Sequence, residues 1–177
     1  PVRDEDGGVE FQASSPDEVA MVKFAASVGV HLHERTLKNM TLKTQGPHYL
    51  TYNIIKMFPF SSERKCMSII VQEENSHTYQ FLMKGADVKM TQVIDKCDWL
   101  DESCQEMAQK GLRTLVFAQR QLTETQVHSF MAAYDKANAT LDDTRNDKIN
   151  AAMDMLESGM ELVAVTGVED QLQDDVT

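Results

Sequence analysis

Four short stretches place polar and charged side chains where the apolar pattern around them does not require any: QASSPDE (12–18), FPFSSERK (58–65), KGAD (84–87) and GLRT (111–114). The third raises the sharpest question. Phe81, Leu82 and Met83 read as the end of a buried strand, yet Lys84 is a charge that a core cannot hold unpaired. Gly85 lets the backbone turn there or come close to something else. Together the stretches bring an aromatic face, a carboxylate, a lysine and an arginine to strand or helix ends. Those are the parts an adenine nucleotide needs: a ring to stack on the base, a carboxylate or hydroxyl to accept from the adenine amino group, and two cations for the phosphates. Taken singly, each has a plainer reading. SSPDE suffices as a helix cap, SSERK as a hairpin turn with a solvated basic tip, and Arg113 as half of a surface ion pair worth little.

Other chemistries find less support. Neither GxxxxGK[ST] nor GxGxxG occurs, which excludes a P-loop and a dinucleotide fold, and there is no HExxH, GxSxG or CxxC constellation. His31 and His33 would share one face of a strand, but no third metal ligand accompanies them. Cys66, Cys97 and Cys104 are an odd set without paired spacing, which fits reduced thiols better than a disulfide framework or a zinc site. The formal charge of −11 argues against a general nucleic-acid binder, which needs a basic face. It still leaves room for an anion held by two or three local cations. DDTRND (142–147) reads as a solvated acidic face. No window approaches the roughly 20 apolar residues that cross a bilayer, and the acidic opening PVRDEDGGVE is unlike a signal peptide. The chain as given is expected to be soluble.

The elements that must position the four stretches follow from periodicity. Ser15 as cap, Pro16 at the first helical position and Glu18 three residues after Ser15 predict a helix over 16–28, closed at Gly29. From residue 30 the period becomes two, predicting strands within 30–35, 37–44, 48–58, 66–72 and 78–83, with turns at 45–47 and 73–77. Helical spacing returns over 88–94, capped by Asp87, and over 100–110, closed by Gly111. Residues 112–122 read as a strand. Thr123 with Gln126 is a second capping box, opening a helix to about 138, and a further helix spans 143–157 before a last strand over 160–168. The fold class is α+β: a mostly antiparallel sheet of about six to seven strands flanked by helical hairpins. A chain of 177 residues fits one domain, 1–177. Its loose opening and its acidic end, which has no following partner, suggest a domain excised from a larger protein.

In this order, QASSPDE, FSSERKCMSIIV, MKGADV and GLRTLVFA resemble the nucleotide-binding (N) domain of the type IV P-type ATPases, the phospholipid flippases. The resemblance runs from about residue 9 to 176. KGA occurs across P-type ATPases, whereas SPDE with FxSxRKxMS and GLRTL is more specific to flippases. MFPFSSE and MKGADVKM look most like the accessory-subunit-independent Golgi and endosomal branch. The resemblance implies that Phe60 stacks on adenine, Glu18 contacts the adenine side of the pocket, and Lys84 lies deep against the nucleotide with Gly85 allowing close approach. It further implies that Arg113 holds phosphate, with Ser62 and Thr114 as supporting polar contacts and Phe58 in the core. One departure is Cys66, which stands where the family's basic run has an arginine. That leaves Arg64 and Lys65 as the basic residues of the run.

The resemblance also implies ATP as ligand, with Mg²⁺ arriving on the nucleotide and held mostly by ligands outside this chain. The catalytic aspartate and the DKTGT motif around it are not in this sequence, so the chain alone is not expected to hydrolyse ATP. Implied partners are the phosphorylation, actuator and transmembrane domains of the same polypeptide, with a phospholipid as the transported substrate, no nucleic acid, and the fragment itself a monomer. TGVEDQLQ resembles the return toward the phosphorylation domain, so 169–177 would begin that hinge. The setting implied is a cytosolic domain of an integral membrane protein, in Golgi, endosomal or plasma membrane. Two alternatives stay open: the N domain of a cation-transporting P-type ATPase, which fits KGA but not SPDE with FxSxRKxMS, and a non-catalytic acidic interaction domain, which explains the charge but not Phe60, Lys84 and Arg113.

Overall fold

The computed structural model describes residues 2–3, 9–11, 13 and 15–169. Gln12 and residues 170–177 of the expected hinge lie outside them. The chain forms two compact units, residues 1–56 with 71–78 and residues 57–70 with 79–177.

In the first unit, β1 (Val2–Arg3) pairs antiparallel with β2 (Val9–Glu10). Helix α1 (Pro16–Ser27) starts as its residues dictate. The Ser15 hydroxyl accepts from the Glu18 amide at 3.3 Å, and Pro16 occupies the first turn, where its missing N–H costs nothing. It stops at Gly29, whose φ of +93° lets Val30 donate back to the Ala25 carbonyl at 2.9 Å. Strands β3 (His31–Arg35) and β4 (Asn39–Lys43) form a hairpin. Its turn is held by the Thr36 hydroxyl, which accepts from the amides of Lys38 and Asn39. Gly46, at φ +88°, turns β4 into β5 (Tyr49–Ser61), in register from Asn39↔Asn53 to Lys43↔Tyr49. The His33 ring packs edge-on to Tyr49 at 5.0 Å.

Strands β5 and β6 (Cys66–Glu73) contribute residues to both units. The sheet order is β3-β4-β5-β6, then β7 (Tyr79–Gly85), β8 (Arg113–Leu122) and β9 (Glu161–Val168). The pairs β3–β4, β4–β5, β7–β8 and β8–β9 are antiparallel, and the seven strands meet the α+β expectation.

In the second unit the helices are inserted in pairs: α2 (Asp87–Met90) and α3 (Leu100–Gln109) between β7 and β8, α4 (Glu124–Asn138) and α5 (Arg145–Asp154) between β8 and β9. Phe81, Ile70, Phe130, Met90, Met153, Leu156 and Met160 are fully buried in its core. Phe58 is core as expected, its ring edge-on to Phe130 at 5.7 Å and Tyr134 at 5.3 Å. The Thr123–Gln126 capping box is present with both halves made.

Two expectations are corrected. The helix predicted over 88–94 ends at Met90, because Val93 and Asp95 bond to the backbone of Met160, from which the local sequence gives no hint. Its N-cap is Ala86 rather than Asp87; Asp87 is the first helical residue, and its Oδ1 accepts from the Val88 amide at 2.7 Å.

Candidate functional site

The expected site residues divide between the units. Glu18 lies in the first turn of α1, half-buried, in the first unit; Phe60, Ser62, Lys84, Gly85, Arg113 and Thr114 belong to the second.

Within the second unit, strand alternation decides which side chains can act together. In β7 the buried positions are Phe81, Met83 and Gly85, and in β8 they include Val116 and Ala118. The unbroken register Gly85↔Val116 and Lys84↔Phe117 puts Lys84 on the opposite face, with Leu82 and Phe117. Arg113, four residues before Phe117, shares that face with Lys84, about 13 Å further along the strand direction. Thr114 does not. It pairs with Gly167 on the face that α3 covers, where Met107 and Leu112 fill the space a Gly167 side chain would need. A period of two already forbids neighbours such as Arg113 and Thr114 from sharing a face.

Phe60, the last residue but one of β5, is 62% exposed, two residues beyond the buried Phe58. The chain then reverses in a tight turn. Arg64 donates its amide to the Ser61 hydroxyl at 3.2 Å, Lys65 donates to the Ser61 carbonyl at 2.8 Å, and Lys65 sits at φ +54°. Ser62 is exposed in this turn.

The turn and the KGAD segment meet. Ala86 donates its amide to the Lys65 carbonyl at 3.0 Å. A Cβ built on Gly85 would fall 2.7 Å from Cys66 Cβ, so the close approach that Gly85 permits is to β6 itself. Burial pushes the Cys66 thiol above its ordinary value, with Arg64 and Lys89 drawing it partly back.

The sequence reading missed Glu157. Its carboxylate, 2% exposed, takes Arg64 on Oε1 and the Lys89 ammonium on Oε2 at 2.8 Å. Arg64, expected as one of the basic residues of the FSSERK run, is therefore committed to an internal partner. One signal was available: Glu157 follows the C-terminal end of a helix, where the dipole disfavours an anion unless cations meet it. Arg120 was missed too. It caps the same end of α5, donating to the carbonyls of Ser158 at 2.7 Å, Met155 at 3.3 Å and Leu156 at 3.4 Å.

A cavity of about 130 Å³ lined by Thr125, Gln126, Ser129, Met155 and Leu156 contains none of the expected site residues and no charged side chain. Among the described residues no cluster of three His, Cys, Asp or Glu side chains is arranged to hold a metal. Nor is any helix among them long and apolar enough to cross a membrane.

The second unit thus combines paired helical insertions, one lysine and one arginine on a shared sheet face, and an exposed Phe60. A family model described as "P-type ATPase, cytoplasmic domain N" matches residues 2–101 and 87–175. The chain is 51% identical over 166 residues to "Probable phospholipid-transporting ATPase IIB" of Bos taurus, an alignment covering 94% of this chain and 14% of that protein. It is 44% identical over 177 residues to "Probable phospholipid-transporting ATPase tat-5" of Caenorhabditis elegans (98% and 16%). To "Phospholipid-transporting ATPase NEO1" of Saccharomyces cerevisiae it is 39% identical over 173 residues (97% and 15%). The chain belongs to the P-type ATPase N-domain family. The resemblance carried by SPDE, FSSERK and GLRT to the phospholipid-transporting members is met by these relatives, of whose length it spans 14–16%.

Proposed function

We propose that this chain binds ATP and presents its γ-phosphate to the phosphorylation domain of a P-type ATPase that moves phospholipid across a membrane. The observation that carries the reading is the shared face of Lys84 and Arg113, within a unit that also exposes the Phe60 ring. In it, Phe60 stacks on the base, Lys84 meets the nucleotide further along, and Arg113 takes the phosphates. Ser62 supports from the turn, Gly85 contributes by backbone, and Thr114 is left with a packing role. Mg²⁺ would neutralise phosphate charge, travelling with the nucleotide. Catalysis in the whole protein is then positioning: the domain holds the γ-phosphate in line with an acceptor that other parts of the polypeptide supply.

The names of the relatives favour phospholipid over cations as the transported class. The same reading places the domain on the cytosolic side of a Golgi, endosomal or plasma membrane. Because a millimolar Kd corresponds to only about −4 kcal/mol, the test is a titration of the 177-residue chain with ATP to about 10 mM, followed by amide shifts. Saturable shifts centred on Phe60, Lys84 and Arg113 support the proposal. An unresponsive spectrum ends it, and saturable shifts confined to other residues move the site.

A further inference from the structure

Among the described residues, Glu157 is the one strongly buried carboxylate, and the nucleotide reading does not use it. It sits between two segments that the reading does use. Arg64 belongs to the turn after Phe60, and Lys89 to the helix after Lys84. The two cations are only 19% and 22% exposed in their side chains. Placing them together without an anion between them would set two like charges against each other in a partly desolvated site. The carboxylate makes their approach favourable, and so draws the turn toward the end of β7. The Ala86–Lys65 backbone bond and the Gly85–Cys66 contact act between the same segments but carry no charge.

We propose that Glu157 is a positioning residue of the nucleotide site, holding the Phe60 turn and the Lys84 strand end in a fixed relation through Arg64 and Lys89. This rests on the nucleotide reading above. Base stacking and phosphate contact come from opposite ends of that relation, so a ligand that must satisfy both at once is sensitive to small changes in it. Glu157 itself touches no ligand. Its effect passes through Arg64, which separates it from a residue that merely stabilises the fold.

The test compares ATP affinity of the 177-residue chain as wild type, Glu157→Gln, Arg64→Met, Arg64→Lys and the double variant Glu157→Gln/Arg64→Met. All are measured at a temperature where melting curves show each one folded. Glu157→Gln and Arg64→Met are each expected to weaken ATP binding about tenfold, the double variant to be no weaker than either single, and Arg64→Lys to recover to within about threefold of wild type. The amides of Phe60 and Lys84 should shift in nucleotide-free Glu157→Gln. A folded Glu157→Gln chain with wild-type affinity overturns the proposal, as does a double variant whose losses simply add. Should Glu157→Gln not fold, Lys89→Met takes its place with the same expectations. A wild-type chain that does not bind ATP removes the nucleotide reading itself, an outcome distinct from wild-type binding with no effect of the variants.

Discussion

Gly85 lies flat against Cys66: a Cβ on Gly85 would sit 2.7 Å from Cys66 Cβ and 2.8 Å from the Lys65 carbonyl oxygen. The two nearest obstacles are a buried side chain and a backbone atom, neither of which can swing aside. Gly85→Ala is therefore expected to cost roughly 1–3 kcal/mol through overpacking. Urea unfolding of the purified chain measures it. A variant as stable as wild type would show that β6 and β7 can separate at this point. The reverse change is milder. Cys66→Ala keeps the Cβ and loses only the buried sulfur, for roughly 1 kcal/mol, and its ATP affinity is expected to stay within about twofold.

Phe60→Ala removes the ring proposed to stack on adenine. Stacking of a base on an aromatic side chain is worth about 1–3 kcal/mol, so affinity for ATP should fall roughly tenfold or more. Because Phe60 is 62% exposed, the melting temperature should hardly move. Equal affinities for wild type and variant would place the base elsewhere.

The local parts of this fold were legible because their causes are local. Ser15, Pro16 and Gly29 announce both ends of α1, and Thr123 with Gln126 announces the start of α4. The alternation from His31 to Gly85 announces strands. What was not legible depends on residues far apart in the chain. α2 ends early because Val93 and Asp95 bond to Met160, and the buried Glu157 is paired with Arg64, 93 positions before it. In the candidate site, Lys84 and Arg113 were found as charges at the ends of apolar runs, where a core could not explain them. Thr114 was attached to Arg113 by motif alone, against the alternation of the strand that carries both.

Lys84→Met keeps most of the aliphatic stem, so the half-buried position stays filled while the charge is lost. A hydrogen bond to a charged group contributes about 1.5–3 kcal/mol, which sets the expected loss in ATP binding at tenfold or somewhat more. Adenosine, which has no phosphates, should lose less. A collapsed melting temperature with unchanged affinity per folded molecule would make Lys84 structural.

Arg120 gives α5 its C-terminal cap. Arg120→Met leaves the carbonyls of Met155, Leu156 and Ser158 without that donor and removes a cation from the negative end of the helix. The expected cost is roughly 1.5–3 kcal/mol in urea unfolding. Amide exchange should quicken first in 152–158, the segment that also carries Glu157. Uniformly faster exchange across the unit, with no local excess, would contradict a capping role.

Cys66 and Cys104 are buried free thiols, and burial raises both above the ordinary 9.0; Asp87 and Asp101 add to the rise at Cys104. A group with a raised folded-state pKa contributes stability that is fully present below the unfolded value and is lost as pH climbs through the folded one. Here that window opens above pH 9.0. The unfolded chain ionises first, so as pH rises above 9.0 stability should fall more steeply in wild type than in a Cys66→Ala/Cys104→Ala variant. Alkylation of the native chain at about pH 8 should reach the half-buried Cys97 first, because the reactive species is an accessible thiolate. Cys66 and Cys104 should label only on unfolding. Mass spectrometry of the labelled peptides decides it, and native labelling of Cys66 as fast as Cys97 would mean that the β6–β7 contact at Gly85 opens far more readily than its packing implies.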